Sequence, residues 1–259
     1  MPPPISADRY YAEIRASTAA LAGLVDGADL TLPIPTCPDW TIRQLATHVG
    51  RAHRWAAQIV GTRSAEFIPF RSVPDGRLPD DPARHAAWLS DGAGALIDAV
   101  QNAGGDLVWA FDTMAPAIFW ARRMTHETLV HTADAQLAAG QQPAIAPDIA
   151  ADAIDEWLGF ISGPIYGRPD PRAQALPAGS ILHVHTTDEP PGPAGEWLVR
   201  HTPDGVTVQA GHGKGDVALT GPAGPVLLVL VRRLPPDDPA VSVLGDAGLL
   251  TQWLAQTPF

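Results

Sequence analysis

The chain has 259 residues, enough for one large domain or two ordinary ones with real cores. With 46% hydrophobic and 17% charged residues it is a globular chain rather than a disordered one. A formal net charge of −11 and the lack of any Lys/Arg run argue against nucleic acid or an anionic membrane as partner, and an anionic substrate would need a local Arg.

Lys214 is the only lysine, and the wealth of Arg, Ala, Pro and Gly is the bias of a GC-rich genome. The single cysteine, Cys37, excludes an internal disulfide framework and a cysteine-rich metal site. The opening MPPPISADRYY has no basic region followed by an apolar stretch, so no signal peptide is expected. The longest apolar run, Val226 to Val231, is too short to span a bilayer, and a cytoplasmic location is the expectation.

In chain order, Tyr10, Ile14, Leu21 and Val25 recur at helical spacing and predict a first helix over Ala7–Val25. Prolines keep the stretch from Leu32 to Trp40 out of a helix. Thr41 and Gln44 make a capping-box pattern, and Ile42, Leu45, Val49, Ala52, Ala56 and Ile59 supply the apolar face of a second helix. Gly61 to Asp81 is a loop rich in Pro, Gly and charge, long enough for a lid or a site wall. A third helix is expected from Pro82 to Asn102, with Trp88, Leu89, Ala95, Leu96 and Ala99 facing in. A fourth runs from Pro116, as a first-turn residue, to Ala139, stopped by Gly140. Four such helices predict a bundle.

Near Gln141 the character changes. One more helix, Ile149 to Ile161, precedes period-2 segments at Ser180–Thr186, Glu196–His201 and Val206–Val208, with Asp204-Gly205 as a hairpin signal. A short strand at Ala218–Thr220, an apolar helix from Pro222 to Arg233, a strand at Val241–Val243 and a helix from Asp246 to Ala255 complete the chain. The organisation read from this is a helical domain over 1–145 and a smaller α+β domain over 146–259.

Glu127 and His131 lie four apart on the fourth helix, within the stripe Trp120, Met124, Glu127, His131, Ala135. A carboxylate buried beside an imidazole needs a partner that satisfies both, and a metal ion does so; a simple Glu–His hydrogen bond is the alternative. His48, at the margin of the second helix's apolar face, completes two imidazoles and one carboxylate, a set that leaves a coordination position open as in catalytic zinc sites. Iron(II) also suits these donors. A zincin arrangement is disfavoured because His126 and His131 are five apart and diverge by about 140° on a helix. His53 diverges from His48 in the same way and is expected to be exposed.

Other residues read more plainly. Asp134, three after His131, suits either an orienting hydrogen bond to it or an ordinary helix contact. His183 and His185 share a strand face and read as solvated. Gly211-His212-Gly213-Lys214-Gly215 lacks the Walker spacing and reads as a turn, and Cys37 reads as packing at the helix entry.

Together, Thr36-Cys37-Pro38-Asp39-Trp40-Thr41 with Leu45 and His48, and His126-Glu127-Thr128 with His131 and Asp134, resemble the mycothiol-dependent maleylpyruvate isomerase family. Glu196-Trp197, the stretch Thr202 to Val208, Gly211-His212-Gly213 and Gly245-Asp246 extend the resemblance to the C-terminal half. It implies a DinB-like four-helix bundle followed by a sterol-carrier-like α+β domain, and His48, Glu127 and His131 as zinc ligands. It also implies mycothiol as thiol cosubstrate, bound as thiolate and added to a small electrophile, either by an isomerase or by a thiol S-transferase. In this resemblance Arg233, in Val231-Arg232-Arg233-Leu234-Pro235, matches an arginine that serves the metal site, with Arg232 where a small residue is usual. A guanidinium suits a carboxylate on substrate or thiol; neutralising a helix C-terminus is the simpler role. A non-catalytic metal-binding regulator and a metal-dependent hydrolase are the other function classes open to this fold, though the hydrolase needs a general base beyond Glu127.

Overall fold

The computed structural model describes residues 5–111, 113–163, 177–188, 195–202 and 205–257. The chain divides into two compact units, Ser6–Pro143 and one built from Ala144–Phe259.

In the first unit, α1 (Ala7–Val25) starts at Ser6, whose hydroxyl accepts from the Arg9 amide. The capping box forms at α2 (Ile42–Gly61): Thr41 Oγ1 accepts from the Gln44 amide, and Gln44 Oε1 accepts from the Thr41 amide at 2.8 Å. A 3-10 turn at Pro82–Arg84 leads into α3 (His85–Ala103), and α4 spans Ile118–Ala138. α1 packs on α3 and α4, while α2 packs on the same two helices from its own side. Leu21, Val25, Leu45, Val49, Leu89 and Ala135 fill one shared core.

Two expectations fail here for local reasons. Pro116 is not in the first turn of α4. It ends β2 (Thr113–Pro116), which pairs antiparallel with β1 (Leu107–Ala110) in a hairpin that the sequence reading lacked. Ala95 is exposed, because Ala93, Leu96, Ile97 and Val100 set the buried phase of α3.

In the second unit, α5 (Pro147–Ser162) precedes a five-stranded sheet of order β5-β4-β3-β6-β7. Its strands are β3 (Ile181–Thr186), β4 (Glu196–Thr202), β5 (Gly205–Ala210), β6 (Val217–Gly221) and β7 (Ser242–Gly245). All neighbours are antiparallel except β3 and β6. One face carries Leu182, Val184, Trp197, Val199, Val217 and Leu219, all buried. The alternate residues form the other, more polar face, as a period of two requires. The expected hairpin after β4 is present, but Gly205 begins β5 and Asp204 lies outside the described residues.

The apolar helix is shorter than expected. α6 spans Ala223–Leu230, and α7 spans Ala247–Gln256 behind an Asp246 cap. α6 ends because Arg232 turns into the left-handed region (φ 61°) and the Arg233 amide returns to the Leu228 carbonyl. Arg232 is consequently exposed and Arg233 buried. Among the described residues no helix is long and apolar enough to cross a membrane.

The α2–α3 contact is unusually close at Gly50. Arg54 bridges the pair, giving one hydrogen bond to the Gly50 carbonyl and another to the Trp88 carbonyl at 2.8 Å, with its guanidinium 4.3 Å from the Trp88 ring centroid. A Cβ on Gly50 would enter the Trp88 indole, which is itself held by a hydrogen bond to the Asp75 carbonyl. Gly50→Ala is therefore expected to destabilise the protein by about 1–3 kcal/mol despite its better helix propensity. Urea unfolding followed by circular dichroism checks this, and an unchanged or higher midpoint would refute it.

Candidate functional site

α4 is buried along most of its length, so its polar residues need partners inside the bundle. Glu127 and His131 point the same way, and α2 brings His48 to them. His48 Nε2 lies 2.8 Å from Glu127 Oε1, and His131 Nε2 lies 3.4 Å from the same oxygen. The other oxygen, Oε2, accepts from Arg123 Nη2 at 2.7 Å, one turn earlier on α4. The three residues expected to act together do converge, with donor atoms within 4.8 Å of one another.

His131 is fixed from behind. Its Nδ1 lies 2.9 Å from Asp134 Oδ2, and Asp134 has no exposed surface. Thr36 donates to Asp134 Oδ1 at 2.5 Å, and Cys37 Sγ lies 3.2 Å from Oδ2. The non-helical segment ahead of α2 is thus a clamp on Asp134, which orients His131 and leaves its Nε2 facing Glu127 and His48. Cys37, His131 and Asp134 form a second group of adjacent donors. That group is closed around a wholly buried carboxylate, whereas the side chains of His48 and Glu127 retain 25% and 20% exposure.

The charge states follow from this packing. Burial would raise the Glu127 carboxyl, but hydrogen bonds from His131 and His48 and the Arg123 charge outweigh it and hold its pKa well below the usual range. Burial would likewise lower His131, yet its bonds to Asp134, Cys37 and Glu127 raise its pKa well above the ordinary value. Positive charge is therefore favoured between the Glu127 and Asp134 carboxylates.

Aromatic rings wall the site. Trp40 stacks on His131 at 5.5 Å between centroids and lies 4.8 Å from His48, while Phe70 lies 5.6 Å from His48. Asp39 takes a left-handed conformation (φ 71°) just before Trp40, and the Trp40 carbonyl accepts from the Ile34 amide. These contacts set the ring over the two imidazoles.

Beside His48 opens a cleft of about 1160 Å³ lined by Arg43, Arg51, Arg71 and Arg77, with Phe70 and residues of the 61–81 loop. The loop acts as a wall of the site. Burial first, and then the charges of Arg71 and Arg77, lower the Arg51 pKa, and the lining holds four arginines against Asp75 and Asp80. Such a cleft attracts an anion within an otherwise acidic chain. Sequence reading missed this arginine set, although Arg43, Thr47 and Arg51 at i, i+4 and i+8 on the His48 helix carried its signal.

His53 overturns its expectation. It is completely buried, because the divergence that turns it from His48 aims it at α4. Its Nε2 lies 2.7 Å from Thr128 Oγ1, whose own proton goes to the Met124 carbonyl. His53 Nε2–H is therefore the donor and Nδ1 is bare. His183 is also buried rather than solvated; it lies in the second unit against Glu196.

A helical bundle followed by an α+β unit has counterparts among known proteins. The description of the mycothiol maleylpyruvate isomerase N-terminal domain matches residues 11–136, and that of the corresponding C-terminal domain matches residues 148–252. The chain belongs to the mycothiol-dependent maleylpyruvate isomerase family. The crystal structure of the mycothiol-dependent maleylpyruvate isomerase is similar with a TM-score of 0.58 at 15% identity, covering 92% of this chain and 93% of that one. A histidine-to-alanine mutant of that enzyme gives 0.57 at 14% identity over the same shares. At these identities the likeness speaks for the fold. No curated protein matches the chain.

Burial, then the neighbouring Arg54 charge, lowers the His53 pKa from the ordinary 6.5 to about 3. Below pH 6.5 the unfolded chain takes up a proton that the folded chain refuses, so this residue's contribution to stability is intact above 6.5 and declines as pH falls toward 3. Urea midpoints near pH 7 and about pH 4.5 are expected to drop further for the native protein than for His53→Gln. Equal drops would show that His53 does not titrate in this way.

Proposed function

We propose that His48, Glu127 and His131 hold a zinc ion, and that the chain is a mycothiol-dependent isomerase acting on a small anionic electrophile of the maleylpyruvate class. The observation that carries this reading is the convergence of His48 Nε2, Glu127 Oε1 and His131 Nε2 at the edge of a four-arginine cleft. The donor set suits the metal: separations of 2.8 and 3.4 Å bracket the roughly 3.3 Å edge of a zinc tetrahedron. His131 bound through Nε2, with Nδ1–H donating to Asp134, is the usual carboxylate–histidine support of a zinc ligand.

With mycothiol bound there, zinc lowers the thiol pKa and supplies a thiolate nucleophile at neutral pH. The protein's own residues do the rest. Arg123 keeps Glu127 ionised and oriented by holding its second oxygen. Trp40 and Phe70 exclude water from the faces of the two imidazoles. Arg43, Arg51, Arg71 and Arg77 hold carboxylates of the electrophile and stabilise negative charge that develops as a thiol adds to its double bond. The family resemblance assigns Arg233, a guanidinium of the second unit, to a carboxylate of substrate or thiol; its Nη1 donates to the Val231 carbonyl at 2.7 Å.

Hydrolysis is the weaker reading. With Glu127 engaged, the adjacent carboxylate Asp134 is fully buried and already accepts from Thr36 and Cys37, so it is poorly placed to activate water. An S-transferase would use the same centre, and product analysis separates it from an isomerase.

Elemental analysis of purified protein is expected to find about one equivalent of zinc per chain fewer in His48→Ala and in His131→Ala than in the native protein. A zinc content equal to that of the native protein in both variants would refute the ligand assignment, and zinc without turnover of any electrophile would favour a regulator. Arg51→Ala and Arg233→Ala are each expected to raise KM for the anionic substrate about 10- to 100-fold, the worth of one charge-assisted hydrogen bond, with zinc content unchanged. Unaltered KM would remove the arginine concerned from substrate binding.

A further inference from the structure

The alternation of β3 places Leu182 and Val184 in the core of the second unit and His183 and His185 on the opposite face. On the neighbouring strand, Glu196 pairs with His185 and Leu198 with His183, so the Glu196 carboxylate stands beside both imidazoles. His183 Nε2 lies 2.9 Å from Glu196 Oε2, and His185 Nε2 lies 3.8 Å from Oε1.

A third imidazole arrives from another segment. After β5 the chain runs through Gly211-His212-Gly213-Lys214-Gly215. A Cβ at Gly213 would collide with the Leu198 side chain, and one at Gly215 would crowd the Val217 carbonyl and His183. Glycine at both positions lets this loop lie directly on the sheet, where His212 Nδ1 comes within 2.8 Å of Glu196 Oε2. The glycines that resemble a phosphate loop in composition have a different use here: they admit the backbone to the histidine face.

The result is three histidines and one glutamate drawn from two strands and a loop. The donor atoms of His183, Glu196 and His212 lie within 4.8 Å of one another. His183 Nε2 and His212 Nδ1 converge on the same carboxylate oxygen, at 2.9 and 2.8 Å, from two separate segments, so three potential ligand atoms are gathered at one point. The set lies wholly within the second unit and uses none of the residues assigned to the first centre.

We propose that His183, Glu196 and His212 form a second divalent transition-metal site, with His185 as an additional donor. Imidazole and carboxylate donors select zinc, nickel or copper(II) over magnesium or calcium. With the His212 side chain 79% exposed and that of His183 only 8%, the site opens at the loop side. Metal would pin the glycine loop to the sheet.

The test is zinc stoichiometry and affinity of the full chain by isothermal titration, comparing the native protein with His212→Ala, Glu196→Gln and His48→Ala. His212 is exposed enough that its replacement leaves the fold intact, which circular dichroism verifies. The expected result is that His212→Ala and Glu196→Gln each bind one equivalent fewer than the native protein at micromolar free zinc. His48→Ala retains that equivalent. Unchanged stoichiometry and affinity in His212→Ala would overturn the proposal, as would loss of all zinc in His48→Ala alone. Failure of the first centre leaves a different pattern: His48→Ala then matches the native protein while His212→Ala still loses its equivalent.

Discussion

Everything in the first unit is arranged around a line of alternating charge inside the bundle, running from Arg123 through Glu127 and His131 to Asp134. Removing carboxylates and an imidazole from water is costly unless each is paired, and a partly paired network is worse than none. The chain meets this demand from several directions. Arg123 holds one end, while Thr36 and Cys37, nearly a hundred residues away in sequence, hold the other. His48 on α2 and the Trp40 ring close the side. The bundle's entry segment is irregular because it must deliver a hydroxyl, a thiol and an indole to α4 within a few residues. Its prolines and the left-handed Asp39 are the backbone terms of that delivery.

Local pattern carried much of this. The helical limits of α1, the Thr41 box and the pairing of Glu127 with His131 followed from spacing and capping chemistry, which depend only on near neighbours. The β1–β2 hairpin was hidden because its strands are short and end in a proline that looks equally suited to starting a helix. His53 was misplaced for a different reason. Divergence from His48 says that two side chains part, but only the position of α4 says that the second one meets a threonine hydroxyl. The arginines of the cleft escaped for a related reason, since Arg71 and Arg77 sit in a loop without periodicity. The His183 cluster was missed because its third imidazole comes from a segment that strand alternation cannot reach.

The two proposed centres gather their donors with different geometry. In the first, donors four apart on a helix share a face and a neighbouring helix supplies the third. In the second, donors two apart on a strand share a face, and the cross-strand partner is a glutamate by register. Net charge sharpens the contrast between the bulk of the chain and the cleft: an acidic molecule repels small anions except where Arg43, Arg51, Arg71 and Arg77 reverse the field. Attraction is thereby concentrated at one mouth instead of spread over the surface.

The placement of those arginines has an evolutionary consequence. The centre on α4 is embedded in the core, where a change in any member disturbs packing, pairing and charge together. The cleft wall is carried largely by the 61–81 loop, whose Arg71 and Arg77 are exposed. Selection can therefore rewrite that wall, its length and its charges, with little penalty to the bundle. On the proposed function, chemistry and preference lie on separate parts of the chain, so relatives could diverge in the molecule they accept while keeping the same reactive centre.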